Sequence, residues 1–184
     1  MVTLLISHGA YRPHKNHVIH TGLGAADIGL VNGEISDIKK KQLISVLDSS
    51  MPAVNWHENI RMKQWSKLAI NSVINPITAI NGIKNGQVLA DVHTEIIKHL
   101  CGEISQVAKQ EGIDLSADSI ATLVSNVAIS TAQNYSSMCC DIMAKQPTEI
   151  DYINGYVVKC ALKHNIDVPT NTSLLRQVKE RVKH

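Results

Sequence analysis

The chain has 184 residues, of which 18 are lysine or arginine and 16 are aspartate or glutamate, so its net charge is +2. This balance excludes the basic surface that nucleic-acid-binding domains need. No apolar run approaches the ~20 residues that cross a bilayer, and the N-terminus lacks the basic and apolar segments of a signal peptide. We therefore expect a cytoplasmic protein that binds neither nucleic acid nor membrane.

Residues 1–57 have the short apolar runs and turn signals of a small β-rich segment. Strands are predicted at 2–7, 17–21 and 26–31, a helix at 37–49 and extended chain at 52–56. Turns are predicted at Gly22-Leu23-Gly24 and at Asn32-Gly33, the latter a dipeptide typical of hairpins. The four cysteines form no C-x-x-C pair, so we expect reduced and mostly buried thiols.

From residue 58 onward the pattern changes to one helix after another. Helices are predicted at 58–75, 91–111, 116–134, 138–145, 149–164 and from Pro169 onward. Pro76 is expected to bend or restart the first of them, because proline has no N–H. Gly112 and Ser116 are suitable cap residues. The predicted fold is therefore mainly α, with a β-rich part at 1–57 and a helical domain at 58–184.

The helix at 58–75 carries an unusual polar face. Lys67, Asn71 and Asn75 are four residues apart, which places their side chains within about 80° of one another around the helix axis. Asparagine is a mediocre helix former, because its side chain competes for backbone partners. One interpretation is a site for a polar ligand, with the lysine ammonium as an acid. The other is a solvated face that happens to contain these residues.

Three ordered motifs carry a resemblance to a known family. They are W-x-K-L-x-x-N-x-x-x-N-P from Trp65 to Pro76, N-Y-S-S-M-C-C-D from Asn134 to Asp141 and T-E-I-D-Y-I-N-G from Thr148 to Gly155. Together they resemble ketopantoate reductase (2-dehydropantoate 2-reductase), and the likeness covers nearly the whole chain, more weakly in its first fifty residues. The resemblance implies a helical domain of the 6-phosphogluconate-dehydrogenase C-terminal-like type, preceded by a remnant of a Rossmann domain.

The resemblance also implies an activity, namely NADPH-dependent reduction of 2-dehydropantoate to (R)-pantoate in pantothenate and coenzyme A biosynthesis. The substrate is expected to bind in this chain, and a homodimer is one expected assembly. The family's dinucleotide fingerprint is missing, so the chain is expected to start near the end of the Rossmann domain and to be inactive alone. Gly22-Leu23-Gly24 does not replace the fingerprint, since Asp27 stands at the third glycine position and 26–31 resembles a strand.

Reduction of a ketone needs a hydride at carbon and a proton at oxygen, and a lysine ammonium can supply the proton. By resemblance Lys67 is the general acid and Glu149 binds the substrate hydroxyl. Further expected contacts to the substrate or its carboxylate are Asn71, Asn75, Asn134 and Ser137. The position of Glu149 in the first turn of a predicted helix is explained equally well by the helix dipole. Ser136 could take the role of Ser137 if the turn is misplaced, and Asp141 is expected to be structural.

Two other functions remain open at this point. The chain could belong to a reductase of a different 2-oxo acid. It could also be a non-catalytic helical dimerisation module, for which an exposed apolar face in residues 91–130 would be a sign. A metal site is not expected, because His14, His17 and His20 would alternate between the faces of a single strand.

Overall fold

The computed structural model describes residues 1–51 and 54–182, so Pro52 and Ala53 of the predicted extended segment lie outside the described residues. The chain forms two compact units, Met1–Gln64 and Trp65–His184. Most of the residues outside the first unit are helical, as the fold class predicted. No helix in the described ranges is long and apolar enough to cross a membrane.

The first unit contains two small sheets and one helix. Its elements are β1 (Val2–Ile6), β2 (Gly9–His14), β3 (His17–Gly22), β4 (Ala26–Leu30), α1 (Asp37–Asp48) and β5 (Val54–His57). β1 pairs antiparallel with β4, β4 pairs parallel with β5, and β2 pairs antiparallel with β3. The three predicted strands and the helix are confirmed. β2 was not predicted, because its sequence GAYRPH contains a proline and no apolar alternation.

The turn predicted at Asn32-Gly33 is present, but it does not close a hairpin. Gly33 does turn the chain, with φ +77°, but the segment leads into α1 and not into an antiparallel neighbour. β4, α1 and β5 instead form a βαβ unit, whose strands are parallel. Gly29 is required there, since a Cβ at this position would overlap the His57 carbonyl on β5.

The described residues of the second unit, which end at residue 182, form six helices. They are α2 (Arg61–Asn81, which begins in the first unit), α3 (Thr94–Gln110), α4 (Ala117–Ser130), α5 (Ser137–Met143), α6 (Asn154–Lys163) and α7 (Pro169–Val182). Short 3₁₀ turns cover Asn85–Leu89, Asp91–His93 and Ile150–Tyr152. Two predicted helices differ from the structure. α2 continues through Pro76, and the predicted 149–164 helix is interrupted at Ile153, whose ψ of −92° is not helical.

The main core of this unit lies between α2, α3, α4, α6 and α7. It is aliphatic, since the chain has no Phe, and its central side chains Val73, Leu100 and Ile104 are completely buried. Full burial of such a side chain contributes about 1.5–3 kcal/mol. The buried apolar side chains of α3 begin at Leu100. Val92, inside the predicted helix 91–111, is 81% exposed in the turn before α3.

Helix caps and thiols agree with the sequence. Ser116 accepts a hydrogen bond from the Ser119 N–H at 3.1 Å at the start of α4, and Gly112, after α3, has φ +76°. All four cysteines are free, and Cys140 is exposed while the other three are buried. Burial raises the pKa of the Cys101 thiol to about 11, which leaves little of the reactive thiolate at neutral pH.

A buried carboxylate caps the last helix from a distance. Glu103 on α3 accepts hydrogen bonds from the backbone N–H groups of Thr170 (2.8 Å) and Asn171 (2.9 Å) and from Asn171 Nδ2 (2.8 Å). These N–H groups belong to the first turn of α7 and have no partner within the helix. Pro169 starts that helix, where its missing N–H costs nothing. The second unit therefore joins α3 to α7 through polar groups as well as through apolar packing.

Candidate active site

The polar face of α2 runs from the solvent into the protein interior. Lys67 is exposed and Asn71 is half-buried, whereas Asn75 is only 7% exposed. The other face of the helix packs into the core through Trp65 and Val73. An amide buried to this extent is not part of a solvated face, so that interpretation fails for Asn75. The polar face of α2 therefore combines an exposed ammonium at one end with a buried amide at the other.

A side-chain hydrogen bond connects α2 to the N-terminus of α5. Ser136 caps α5 by accepting from the Cys139 N–H at 3.1 Å, and its hydroxyl lies 2.6 Å from Thr78 Oγ1 on α2. Thr78 donates to the Ile74 carbonyl at 2.8 Å, so Ser136 is the donor to Thr78. The Ser136 hydroxyl is therefore buried and fully used. Ser137, the next residue, is exposed and is the serine that a ligand can reach.

Asn134 is exposed in the turn after α4, and its carbonyl accepts the Asn85 N–H at 2.9 Å. The amide of Asn85 is buried and donates from Nδ2 to Thr131 Oγ1 at 2.9 Å. Within the described residues, Asn85 Oδ1 has no hydrogen-bond partner. No motif in the sequence points to Asn85, which lies in a 3₁₀ turn. Its buried and unpaired oxygen next to the Asn134 turn makes Asn85 a further candidate residue.

A second apolar cluster contains chain neighbours of three of the predicted site residues. Each of them directly precedes a side chain of that cluster: Lys67 precedes Leu68, Ser137 precedes Met138, and Glu149 precedes Ile150. All three polar side chains are exposed. The backbone at all three positions therefore borders the same cluster.

Glu149 lies near a second carboxyl group. The pKa of Asp141 on α5 is raised, first by burial and then by the negative charge of Glu149. Asp141 is predicted to be structural, and this stays a prediction. A nearby cation would lower the pKa of its carboxyl group, whereas the negative charge of Glu149 raises it, so two carboxylates lie near each other.

We expect Asp141→Asn to stabilise the fold at neutral pH. A carboxyl group whose pKa is raised by folding opposes folding once it is ionised, and this penalty is complete above the folded-state pKa. As the pH falls below the ordinary aspartate range both states become protonated, so the difference between variant and wild type should vanish. Urea unfolding at about pH 7 and about pH 3 measures this. If the variant and the wild type had the same free energy of unfolding at pH 7 as well as at pH 3, the prediction would be contradicted. Glu149→Gln removes the second charge near Asp141 and should give part of the same gain in stability.

Two turns of the first unit lack the features of a dinucleotide site. The Gly22-Leu23-Gly24 segment is followed by β4 and not by a helix, and a Cβ at Gly24 would overlap the backbone of Ser7 and His8. The turn between β4 and α1 carries Glu34 nearby and Asp37 in its first helical turn. Carboxylates at a helix N-terminus disfavour a pyrophosphate. Neither turn therefore fits the pyrophosphate of NADPH.

The histidines of the first unit are arranged differently from the expectation. His14 and His17 lie opposite each other on β2 and β3 and not on one strand, while His20 Nε2 is 3.1 Å from His8 Nδ1. Across residues 1–51 and 54–182, no group of three or more His, Cys, Asp or Glu side chains could hold a metal ion.

Comparison with known proteins gives one family. The family model described as the C-terminal part of ketopantoate reductase PanE/ApbA matches residues 59–182. The chain is 41% identical over 176 residues to the 2-dehydropantoate 2-reductase of Salmonella typhimurium, which covers 96% of the chain and 56% of that protein. It is 34% identical over 176 residues to the protein of that name from Archaeoglobus fulgidus, covering 94% and 58%. The chain thus spans little more than half the length of these relatives.

Solved structures share the fold. A PanE/ApbA family ketopantoate reductase from Ralstonia eutropha has a TM-score of 0.85 at 23% identity and covers 100% of this chain and 60% of its own. D-mandelate dehydrogenase in complex with NADH has a TM-score of 0.89 at 20% identity, with coverage of 99% and 61%. At these identities the structures support the architecture only. Taken with the family model and the curated relatives, the result is that this chain belongs to the ketopantoate reductase PanE/ApbA family.

Proposed function

We propose that this chain supplies the substrate-binding and proton-donating part of a reductase that converts 2-dehydropantoate to (R)-pantoate. The observation that carries the proposal is the α2 face, where Lys67 is exposed, Asn71 is half-buried and Asn75 is buried. Ser137 and Glu149 lie around the apolar cluster that also contains the neighbour of Lys67. The reaction belongs to cytoplasmic pantothenate and coenzyme A biosynthesis.

The chemistry assigns a role to each side chain. The exposed Lys67 ammonium donates the proton to the ketone oxygen and stabilises the negative charge that develops on it. The amides of Asn71 and Asn75 bind the polar end of the substrate, which includes its carboxylate. Asn134 and Ser137 donate further hydrogen bonds, and the Glu149 carboxylate accepts one from the substrate hydroxyl. Asn85, with its unpaired Oδ1, joins this set.

NADPH would supply the hydride in this reaction. Neither the Gly22-Leu23-Gly24 turn nor the turn before α1 fits its pyrophosphate, so we assign no cofactor step to this chain. The contribution of the chain is to bind the ketone, to orient it and to protonate its oxygen. The match to this chain covers only 56% of the Salmonella typhimurium relative, so the unmatched part of that protein can be joined to this chain in an experiment.

The test compares two proteins in an NADPH-oxidation assay with 2-dehydropantoate. One is the chain itself, and the other is a chimera in which the unmatched N-terminal part of the Salmonella typhimurium relative precedes the chain. We expect turnover by the chimera and none by the chain. Turnover by the chain alone would reveal a dinucleotide site that the structure does not suggest. A folded chimera without activity would refute the proposal and favour a non-catalytic module.

The structural likeness to D-mandelate dehydrogenase gives a reason to test a second 2-oxo acid. The chimera should therefore also be assayed with phenylglyoxylate and with trimethylpyruvate, which is 2-dehydropantoate without its hydroxyl group. A site that hydrogen-bonds a substrate hydroxyl rejects the analogue that lacks it. We expect the highest kcat/KM with 2-dehydropantoate, and a preference for phenylglyoxylate would move the assignment to another 2-oxo acid.

The structure offers little support for the alternative of a dimerisation module. In residues 91–130 most apolar side chains are buried, and only Val92 and Ile129 among the large ones are exposed. One of the structural neighbours is described as a dimeric ketopantoate reductase from Staphylococcus aureus, with a TM-score of 0.80 at 21% identity. A homodimer stays a prediction, which sedimentation of the chimera can test.

A further inference from the structure

The continuous path of α2 through Pro76 leaves one backbone group without its usual partner. In an α-helix the carbonyl of residue 72 accepts a hydrogen bond from the N–H of residue 76. Residue 76 is proline, which has no N–H, and its ring also pushes against the carbonyl four residues earlier. Ser72 is completely buried, so water cannot replace the missing donor, and an unpaired buried carbonyl is costly.

Asn154 provides the missing donor. Its Nδ2 lies 3.0 Å from the Ser72 carbonyl oxygen, and the residue is completely buried at the start of α6. The same Nδ2 donates to Asn171 Oδ1 at 3.0 Å. Both acceptors are oxygens, so a flipped amide would direct its own oxygen at two others, and the orientation is therefore determined. Asn171 in turn is held by the Glu103 carboxylate.

This bond lies between two parts of the proposed site. Lys67 and Asn71 precede the turn that Pro76 interrupts. Thr78 follows that turn and binds Ser136, which starts the helix that carries Ser137. Proline is a common cause of sharp bends in helices. The direction that α2 takes between residues 72 and 76 therefore determines where Lys67 and Asn71 lie relative to Ser137.

We propose that Asn154 is a positioning residue for the reaction. Its amide replaces the hydrogen bond that Pro76 cannot give to Ser72. It thereby fixes the direction that α2 takes across Pro76, on which the alignment of Lys67 and Asn71 with Ser137 depends. The role in positioning rests on the proposed reductase function. The replacement of the hydrogen bond does not, so the two parts can be tested separately.

A double-mutant cycle tests the replacement in the full chain. Asn154→Leu removes the donor, and Pro76→Ala restores an N–H at the position that an ordinary helix uses. We expect Asn154→Leu to lower the free energy of unfolding in urea, and Pro76→Ala to recover part of that loss only when Asn154 is absent. Effects that simply add would overturn the inference. If Asn154→Leu does not fold, Asn154→Ser, whose side chain is too short to reach Ser72, replaces it in the cycle.

Kinetics of the chimera test the positioning. A loss of folded protein lowers the apparent kcat and leaves KM unchanged, whereas a displaced binding face changes KM. We expect Asn154→Leu to raise KM for 2-dehydropantoate about tenfold, which is the effect of 1.4 kcal/mol, and Pro76→Ala to reverse part of the rise. An unchanged KM would overturn the positioning role. If the wild-type chimera shows no turnover, the proposed function and the positioning role both fail, while the unfolding cycle still decides whether Asn154 compensates for Pro76.

Discussion

Replacing Lys67 by Ala in the chimera is expected to lower kcat for 2-dehydropantoate by about 10²–10⁴-fold, which is the usual contribution of a positioned general acid. The variant loses both the proton donor and the positive charge that stabilises the developing alkoxide. Because Lys67 is exposed and Leu68, beside it, packs in the second apolar cluster, the substitution leaves the buried face of α2 unchanged. Folding should therefore be nearly unaffected, and the loss should be in catalysis.

Two further variants separate charge from proton donation. Lys67→Arg keeps the charge, but the pKa of a guanidinium is far higher than that of an ammonium and it donates its proton poorly. The variant should therefore recover only a small part of the rate. Lys63→Ala is the matched control, since Lys63 lies one helical turn earlier and makes an ion pair of 3.7 Å with Asp27 that is partly exposed. Such pairs contribute little, and wild-type kinetics are expected. Full activity in Lys67→Ala would exclude Lys67 as the acid.

Replacing Glu103 by Ala is expected to lower the free energy of unfolding of the full chain by about 2–4 kcal/mol. The substitution leaves the N–H groups of Thr170 and Asn171 and the Asn171 amide without their acceptor. Each buried donor without a partner costs about 1–3 kcal/mol, and the loss of a helix cap alone costs about 0.5–2 kcal/mol. Asn171 Oδ1 also accepts a hydrogen bond from Asn154 Nδ2. The substitution should therefore also weaken the hydrogen bond between Asn154 and the Ser72 carbonyl of α2.

Urea unfolding measures the effect, with Glu95→Ala as the control. Glu95 lies in the first turn of the same helix and is exposed, so its removal should cost only the small dipole term of about 0.3–1 kcal/mol. Glu103→Gln keeps one acceptor oxygen but presents an amide N–H to the donors, and it should lie between wild type and Glu103→Ala. A loss in Glu103→Ala no larger than in Glu95→Ala would show that the distant cap is not important for stability.

Features that depend on nearby residues could be predicted from the sequence. The four-residue spacing of Lys67, Asn71 and Asn75 determines that they share a helix face, whatever packs around it. The caps at Gly112 and Ser116 follow from local backbone geometry in the same way. The three motifs also identified the family, and the family model covers the segment in which they lie.

Features that depend on residues far apart in the chain could not be predicted from the sequence. The sequence contains a proline that should interrupt α2, and the helix continues because Asn154, 82 residues away from Ser72, provides the missing donor. Asn85 looked like a loop residue, and only the packing of the 131–134 turn against it buries its amide. A buried polar group must find a partner wherever the chain brings one, and sequence patterns do not specify which partner that is.

The sequence by itself therefore determined the helical class, the polar face of α2 and the family, and with the family the set of candidate site residues. The tertiary structure decided which of these residues are exposed, which serine a ligand can reach and how a helix with an internal proline is held. The physical reason is that helix periodicity and capping act within a few residues. Burial and the pairing of buried polar groups are properties of the packed domain.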